Sequence, residues 1–337
     1  MSEPEIKQPV YLCDSKGRLN SQSVGWSRHP LHTCNLRGHT GRKKKWNYWC
    51  VNDDKRLFSV TLSSVDYLGL AFTYFLEFDT KKFTEQIIAI PFARGCTLSE
   101  NVNGDITFKN KSIALSFTED RGNTRIHVDS RAFGGNALSA DLLVERPEGH
   151  ETLNVVIPWS KRRFHFTSKQ NCLPAAGTVS IGNETFSFRK ENTFACLDFG
   201  RGVWRYSSFW NWAFCHGVRD GHSVGLNLGA GWTDGTGMTE NALCVDGRLN
   251  KISEDMLFHY DPSDLMKPWA IKTKSSKRID ILFTPFYERL GRTNALVLKS
   301  ELHQLFGRFS GTVVADSGES IELENLIGAA EEHRARW

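Results

Sequence analysis

No stretch of this chain approaches the roughly 20 consecutive apolar residues that a helix needs to cross a bilayer. The opening residues, MSEPEIKQPVYLCDSKG, are polar and lack the apolar core of a secretory signal. A soluble, cytoplasmic protein is the expectation, with no membrane span. Charge of one sign is also lacking: 42 basic side chains stand against 38 acidic ones, a net of +4. That balance does not argue for nucleic acid as a partner. The eight cysteines are scattered singly with no C-x-x-C, so they read as buried, reduced thiols and not as a disulfide frame. No Gly-x-Ser-x-Gly elbow occurs, which leaves serine hydrolase chemistry unsupported. Gly229-Ala230-Gly231 lacks the third glycine and the strand-to-helix setting of a dinucleotide site. Asp234-Gly235-Thr236-Gly237 lacks the alternating oxygen ligands of a calcium loop, and His216 and His222, six apart, fit no common zinc spacing. No cofactor and no metal are expected.

A helix-length amphipathic window is missing from the first half as well. What is there is β pattern: LFSVTLSS, DYLGLAFTYFLEFD, DITFK, TRIHVDS, ADLLVE and LNVVIPW, parted by Gly, Asn, Asp and Pro. Turn signals roughly every 8 to 12 residues are the mark of a sandwich or an up-and-down barrel. The second half repeats the pattern at longer wavelength. Residues 1–25 read as an extended arm, 26–170 as a first β unit and 171–337 as a second. The boundary is set by Pro174 and Gly177 in FHFTSKQNCLPAAGTVSIG. LKSELHQLF in 296–314 could be a short helix, but Gly307, Gly311 and Thr312-Val313-Val314 favour a long bulged strand. The run Arg42-Lys43-Lys44-Lys45 reads as a solvated loop ahead of the strand Trp46-Asn47-Tyr48-Trp49, with a phosphate or nucleic-acid role as the lesser alternative.

Residues 194–247 are the densest stretch, holding four of the ten tryptophans and ten of the 28 glycines. Trp204, Trp210, Trp212 and Trp232 offer apolar walls with a polar edge. Glycines let a twisted sheet bend or approach a ligand. Asp198, Arg201, Arg205, His216, Asp234 and Glu240 punctuate this surface, and a mostly apolar surface with a few polar groups is the composition of a small-molecule pocket. Tryptophans that merely fill a sheet's own core are the alternative.

Several long phrases, among them KKWNYW, LDFGRGVWRYSSFWNWA, VGLNLGAGWTDGTGMTENALCVDG, SELHQLFGRFSG and AAEEHRARW, together resemble a domain-of-unknown-function family related to hydroxyneurosporene synthase and other tandem lipocalin-like proteins. The resemblance implies an all-β fold of two lipocalin-like (calycin) antiparallel β-barrels in tandem. The wider group works on apolar substrates without a redox cofactor. In that group a phrase of the form Asp-His-x-Trp-Gly precedes a Trp-Asp-Trp. Here Phe199 stands where the histidine would and Asn211 where the central acid would, so hydratase chemistry does not carry over residue by residue. Because the resemblance extends to 331–337, the charged end reads as a polar seam between the barrels, or else as a solvated edge.

Hydration or cyclisation of an alkene needs a proton donor in an apolar pocket and aromatic faces for the carbocation. Desolvation raises a carboxyl pKa. By position Asp198 is the first candidate acid, with Asp234 and Glu240 behind it, while an ion pair with Arg201 or Arg205 is the plainer role for Asp198. The tryptophans, Arg201, Arg205 and His216 are the candidate ligand contacts. Three readings stay open: a cofactor-independent enzyme acting on an apolar or amphipathic, lipid- or isoprenoid-like molecule, a lipid carrier, and a carbohydrate-active protein.

Overall fold

The structure, a computed structural model, describes residues 3–295 and 298–337. Among them the chain is all β apart from one 3-10 turn at Ser21–Ser23, and no helix is long and apolar enough to cross a membrane. A thirteen-stranded sheet has as its main path Phe83–Pro91, Leu68–Glu77, Arg56–Ser64, Lys43–Asn52, Phe194–Val203, Arg163–Ile181, Asn136–Val144, Asn123–Phe133, Ile113–Asp120 and Ile106–Lys109. A nine-stranded sheet runs Arg248–Lys251, Ala242–Val245, His222–Ala230, Ser207–Arg219, Ser320–Arg336, Leu298–Val314, Ile279–Ala295, Trp269–Thr273 and Met256–His259. Neighbours along both paths are antiparallel. The long strand expected over 296–314 is present from Leu298, with a bulge between Phe309 and Gly311. Its first two positions, 296 and 297, lie outside the described residues.

Each sheet curls around its own core. Trp49, Phe58, Ile126, Phe164, Phe166, Leu197 and Phe199 fill the first, and Leu226, Trp269, Ile281, Phe283, Leu305 and Phe309 fill the second. The expected architecture of two lipocalin-like barrels in tandem is the one found. Strand alternation decides what the outer faces carry. In Lys43–Asn52, Trp49 and Val51 enter the first core, whereas Tyr48 and Cys50 join Trp212, Phe214, Phe306 and Ile327 in a separate cluster built from both sheets. The two curled sheets therefore pack together through faces that their own cores leave over.

Residue 170 lies within the 19-residue strand Arg163–Ile181, and Phe194–Val203 still pairs in the first sheet. The chain passes to the second sheet between Val203 and Ser207. The arm is docked. Glu3 meets Lys251 of the second sheet at 2.7 Å and accepts from the Thr239 N–H at 2.9 Å.

His216 pins the sheets together. Asn171 donates to the carbonyls of Cys215 and Leu226, which fixes its amide and leaves its Oδ1 to accept from His216 Nδ1 at 2.6 Å. The other ring nitrogen, Nε2, lies 2.7 Å from Asn52 Oδ1. Burial holds the imidazole pKa down, to about 3, so the ring is neutral and carries a single proton between the two amides. Replacing His216 by Ala removes the ring that joins Asn171 to Asn52 and leaves the Asn52 Oδ1 without its partner, which should cost about 2–4 kcal/mol. The check is the urea midpoint of the purified variant, and an unchanged midpoint would refute the bridging role.

Candidate functional site

A cavity of about 300 Å³ lies between the packed faces, at the lower end of the range for small-molecule sites. Its walls follow directly from strand register. Across the first sheet, Lys169, Asp198, Tyr48, Thr61, Phe72 and Ile87 are successive pairing partners, and all six line the cavity. Across the second, Trp210, His333, Leu302 and Gly291 form one such rung, and Trp212, Glu331, Gln304 and Arg289 the next. Because side chains two apart share a face, each rung repeats one step along the strands. Trp46, Trp204, Trp232 and Trp337 complete an aromatic wall, with Trp204 stacked on Trp232 at 5.1 Å and 5.6 Å from Trp337.

Two glycines make the space. A Cβ on Gly200 would lie 2.2 Å from the Trp46 ring, and one on Gly229 would lie 2.1 Å from a carboxylate oxygen of Glu240. Only glycine lets these two side chains lie flat on the sheets.

The charged floor is a triad. Lys169 Nζ lies 2.9 Å from Asp198 and 3.1 Å from Glu240, and 4.5 Å above the Trp212 ring. Burial works against the Lys169 charge, but the two carboxylates outweigh it and hold the pKa above its ordinary value. Glu240 also accepts from Trp232 Nε1 at 2.5 Å. Burial raises its pKa, against the pull of Lys169. Asp198 accepts from Thr167 as well as from Lys169.

Glu331 stands opposite, on Ser320–Arg336. It is 8% exposed and accepts from Gln304 Nε2 at 2.7 Å. Burial first, then the charge of Asp198, pushes its pKa up to about 7. Gln304 in turn accepts from Tyr74, which is 2.9 Å from Tyr48, and Arg289 pairs with Glu85 of the first sheet at 2.7 Å. This is a polar seam between the barrels, as the charged C-terminal segment suggested, although Arg289 and Glu85 supply its ion pair. Elsewhere in the wall, burial holds His333 near pKa 3, with its Nε2 2.7 Å from the Ser300 hydroxyl. His165 accepts from Trp204 Nε1 at 2.8 Å and stacks on Trp46, so this neutral ring orients the aromatic wall.

Of the residues singled out from sequence, Asp198, Glu240, Trp204, Trp210, Trp212 and Trp232 line the cavity. Asp234, Arg201, Arg205 and His216 do not. Asp234 is on an exposed turn, its carboxylate accepting from the Gly231 N–H. Arg201 points into the other face of its sheet, where it is bound to the carbonyls of Ser99, Trp46 and Gly200 and to Asn47. Burial brings its pKa down to about 9. Arg205 is exposed beside Trp159, and His216 is the inter-sheet bridge. Lys169, Glu331, His333, Trp46 and Trp337 were not anticipated. Strand parity would have found Lys169 and Trp46, since both share the face of Asp198 once the strands are paired. Among the described residues no group of three or more His, Cys, Asp or Glu is placed to hold a metal ion.

The raised carboxyl has a stability consequence. Between its ordinary 4.5 and about 7, folded Glu331 keeps a proton that the unfolded chain has lost, so stability falls as pH rises through that window. Glu331→Gln keeps an acceptor for Gln304 and removes the titration. In urea unfolding, the wild type should lose on the order of 3 kcal/mol more than this variant between about pH 5 and about pH 8. Parallel pH profiles would refute the assignment.

No curated protein sequence matches the chain significantly. Among solved structures, a putative AttH from Nitrosomonas europaea is 11% identical, covers 86% of this chain and 92% of its own, and superposes with a TM-score of 0.51. CghA with Sch210972 is 12% identical over 88% of this chain and 89% of that one, also at 0.51. These are likenesses of fold. The family described as Domain of unknown function (DUF2804) matches residues 3–337, and over that whole length the chain belongs to it.

Proposed function

We propose that the cavity binds an apolar or amphipathic small molecule of lipid or isoprenoid kind, and that Glu331 protonates it without a cofactor. The observation that carries this reading is a buried carboxyl on the wall of an apolar, tryptophan-lined cavity, where burial and the charge of Asp198 push its pKa up to about 7. A general acid works best when its pKa lies near the operating pH. The π pair of a C=C bond takes the Glu331 proton to form a C–H bond, which leaves a carbocation on the neighbouring carbon. The Trp210 face shelters that charge, since Lys169 already stands over Trp212. Return of a different proton to the Glu331 carboxylate completes an isomerisation with no net change in atoms. Capture of the cation by water gives hydration, and capture by a second C=C gives cyclisation.

Asp198 and Glu240 take another part in this scheme. Their oxygens face Lys169, an arrangement suited to accepting hydrogen bonds, and the negative charge of Asp198 helps keep the proton on Glu331. A carbohydrate-active reading needs two carboxylates flanking a glycosidic bond in a sugar-binding groove. The sharing of Lys169 by these two acids favours a hydrocarbon ligand instead. A carrier would use the same walls without proton transfer.

The test is isotopic. Molecules that co-purify with the protein from its own host are identified by native mass spectrometry, then returned to it in D₂O. The wild type should place deuterium on carbon, at a rate that falls as pH rises through about 7 because the donor is lost. Glu331→Gln should bind the ligand and lose exchange by roughly 100-fold or more. Unlabelled ligand recovered from the wild type would mark a carrier and overturn the catalytic part.

A further inference from the structure

The basic run 42–45 reads from sequence as a solvated loop, but the structure turns one of its members inward. Lys44 lies on the strand Lys43–Asn52 and shares the face of Trp46 and Tyr48, and it is 1% exposed. Lysine is almost never buried so completely unless paired, yet its Nζ has no hydrogen-bond partner. Two more buried polar atoms stand unpartnered beside it, the Tyr67 hydroxyl and the Trp337 indole nitrogen. The ammonium is 5.1 Å from the Tyr67 ring and 5.5 Å from the Trp337 ring. Asp66, the acid whose field Lys44 feels, is otherwise engaged. It accepts from the N–H groups of Arg42 and Lys43 and pairs with the Lys43 side chain at 3.8 Å. Burial lowers the Lys44 pKa to about 8, which leaves it charged at neutral pH. Three groups able to donate, one of them a cation, thus lie on neighbouring residues, and only the two ring faces and the Tyr67 hydroxyl oxygen stand against the ammonium charge. Such a cluster is costly in a folded protein unless something negative completes it.

We infer that Lys44, Tyr67 and Trp337 form an anion subsite that takes the carboxylate of an amphipathic acid, whose hydrocarbon body lies in the tryptophan-walled cavity. The inference rests on the reading that this cavity binds such molecules. Trp337 belongs to both places, since its ring also lines the cavity. Lys44 lies four residues before Tyr48 on one strand, so the subsite is roughly 13 Å from the rung that carries Asp198 and Lys169. A medium-length chain anchored by its carboxylate spans that distance and presents its far carbons to Glu331. Specificity for an acid over the matching alcohol follows, because the alcohol leaves the ammonium unpaired.

Decanoate and decanol are matched probes, and the tryptophan walls give an intrinsic fluorescence signal for both. The wild type should bind decanoate at least about tenfold more tightly than decanol. Lys44→Met should abolish that preference while still binding decanol. This variant replaces an unpaired buried ammonium by an apolar chain of similar length, so the ligand-free protein should fold and gain stability. Tyr67→Phe, which removes one donor and keeps the ring, and Trp337→Phe, which removes one donor and keeps an aromatic face, should each cut the preference about threefold and serve as the test if Lys44→Met does not fold. Equal binding of acid and alcohol by the wild type, or a preference that survives in Lys44→Met, overturns the subsite and leaves the cavity reading standing. Binding of neither probe overturns both.

Discussion

The site depends on one ammonium shared by two carboxylates. Lys169 and Asp198 are pairing partners on adjacent strands of the first sheet, and Glu240 reaches the same nitrogen from the segment that follows His222–Ala230 in the second. Removing one partner of such a buried set typically costs about 3–5 kcal/mol, because an uncompensated charge stays behind. The triad therefore fixes how the two barrels meet. It also sets the local field. The charge of Asp198 adds to burial in keeping a proton on Glu331.

Everything else about the cavity follows from a period of two. A strand that sends Trp49 and Val51 into its own barrel must send Tyr48 and Cys50 outward. Antiparallel pairing then lines up outward residues from six strands as one rung. The same rule explains why Arg201 and Asp198, three apart, have different fates. The aspartate faces the cavity, while the guanidinium goes to the opposite face and is used up on backbone carbonyls.

Fold and aromatic wall were legible in the sequence because both are local signals. Alternation and turn spacing mark the strands, and the tryptophan-rich segment supplies four wall residues in one reading. The acid was not legible. Glu331 lies more than 130 positions after Asp198, and only the pairing of Ser320–Arg336 with Ser207–Arg219 and Leu298–Val314 places it between Trp212 and Gln304. Lys169 was hidden for a related reason. It sits in a segment whose proline and glycine suggest a break, yet one strand runs through from Arg163 to Ile181 with a bulge between Gln170 and Leu173. Lys44 was misread because a run of four basic residues looks solvated whatever its strand parity. Asp234 was picked for its neighbours in sequence, and the turn at Gly231 carries it to the surface.

The inter-barrel face divides its work. Cys50, Phe214, Phe306, Ile327 and Ala329 make an apolar patch whose burial draws the sheets together. Beside it lie Lys169, Asp198, Glu240, Glu331, Arg289, Glu85 and a chain of hydroxyl and amide groups. Buried ion sets of this sort are frequently no more stable than hydrocarbon of the same volume, and often less. Cohesion therefore does not account for them. A neutral carboxyl needs the reverse of good pairing: a neighbour that repels its charge and a surface that excludes water. Asp198 and the aromatic wall supply those two conditions for Glu331. The energetic penalty of the polar half of the face is thus the same quantity that holds the Glu331 pKa up to about 7.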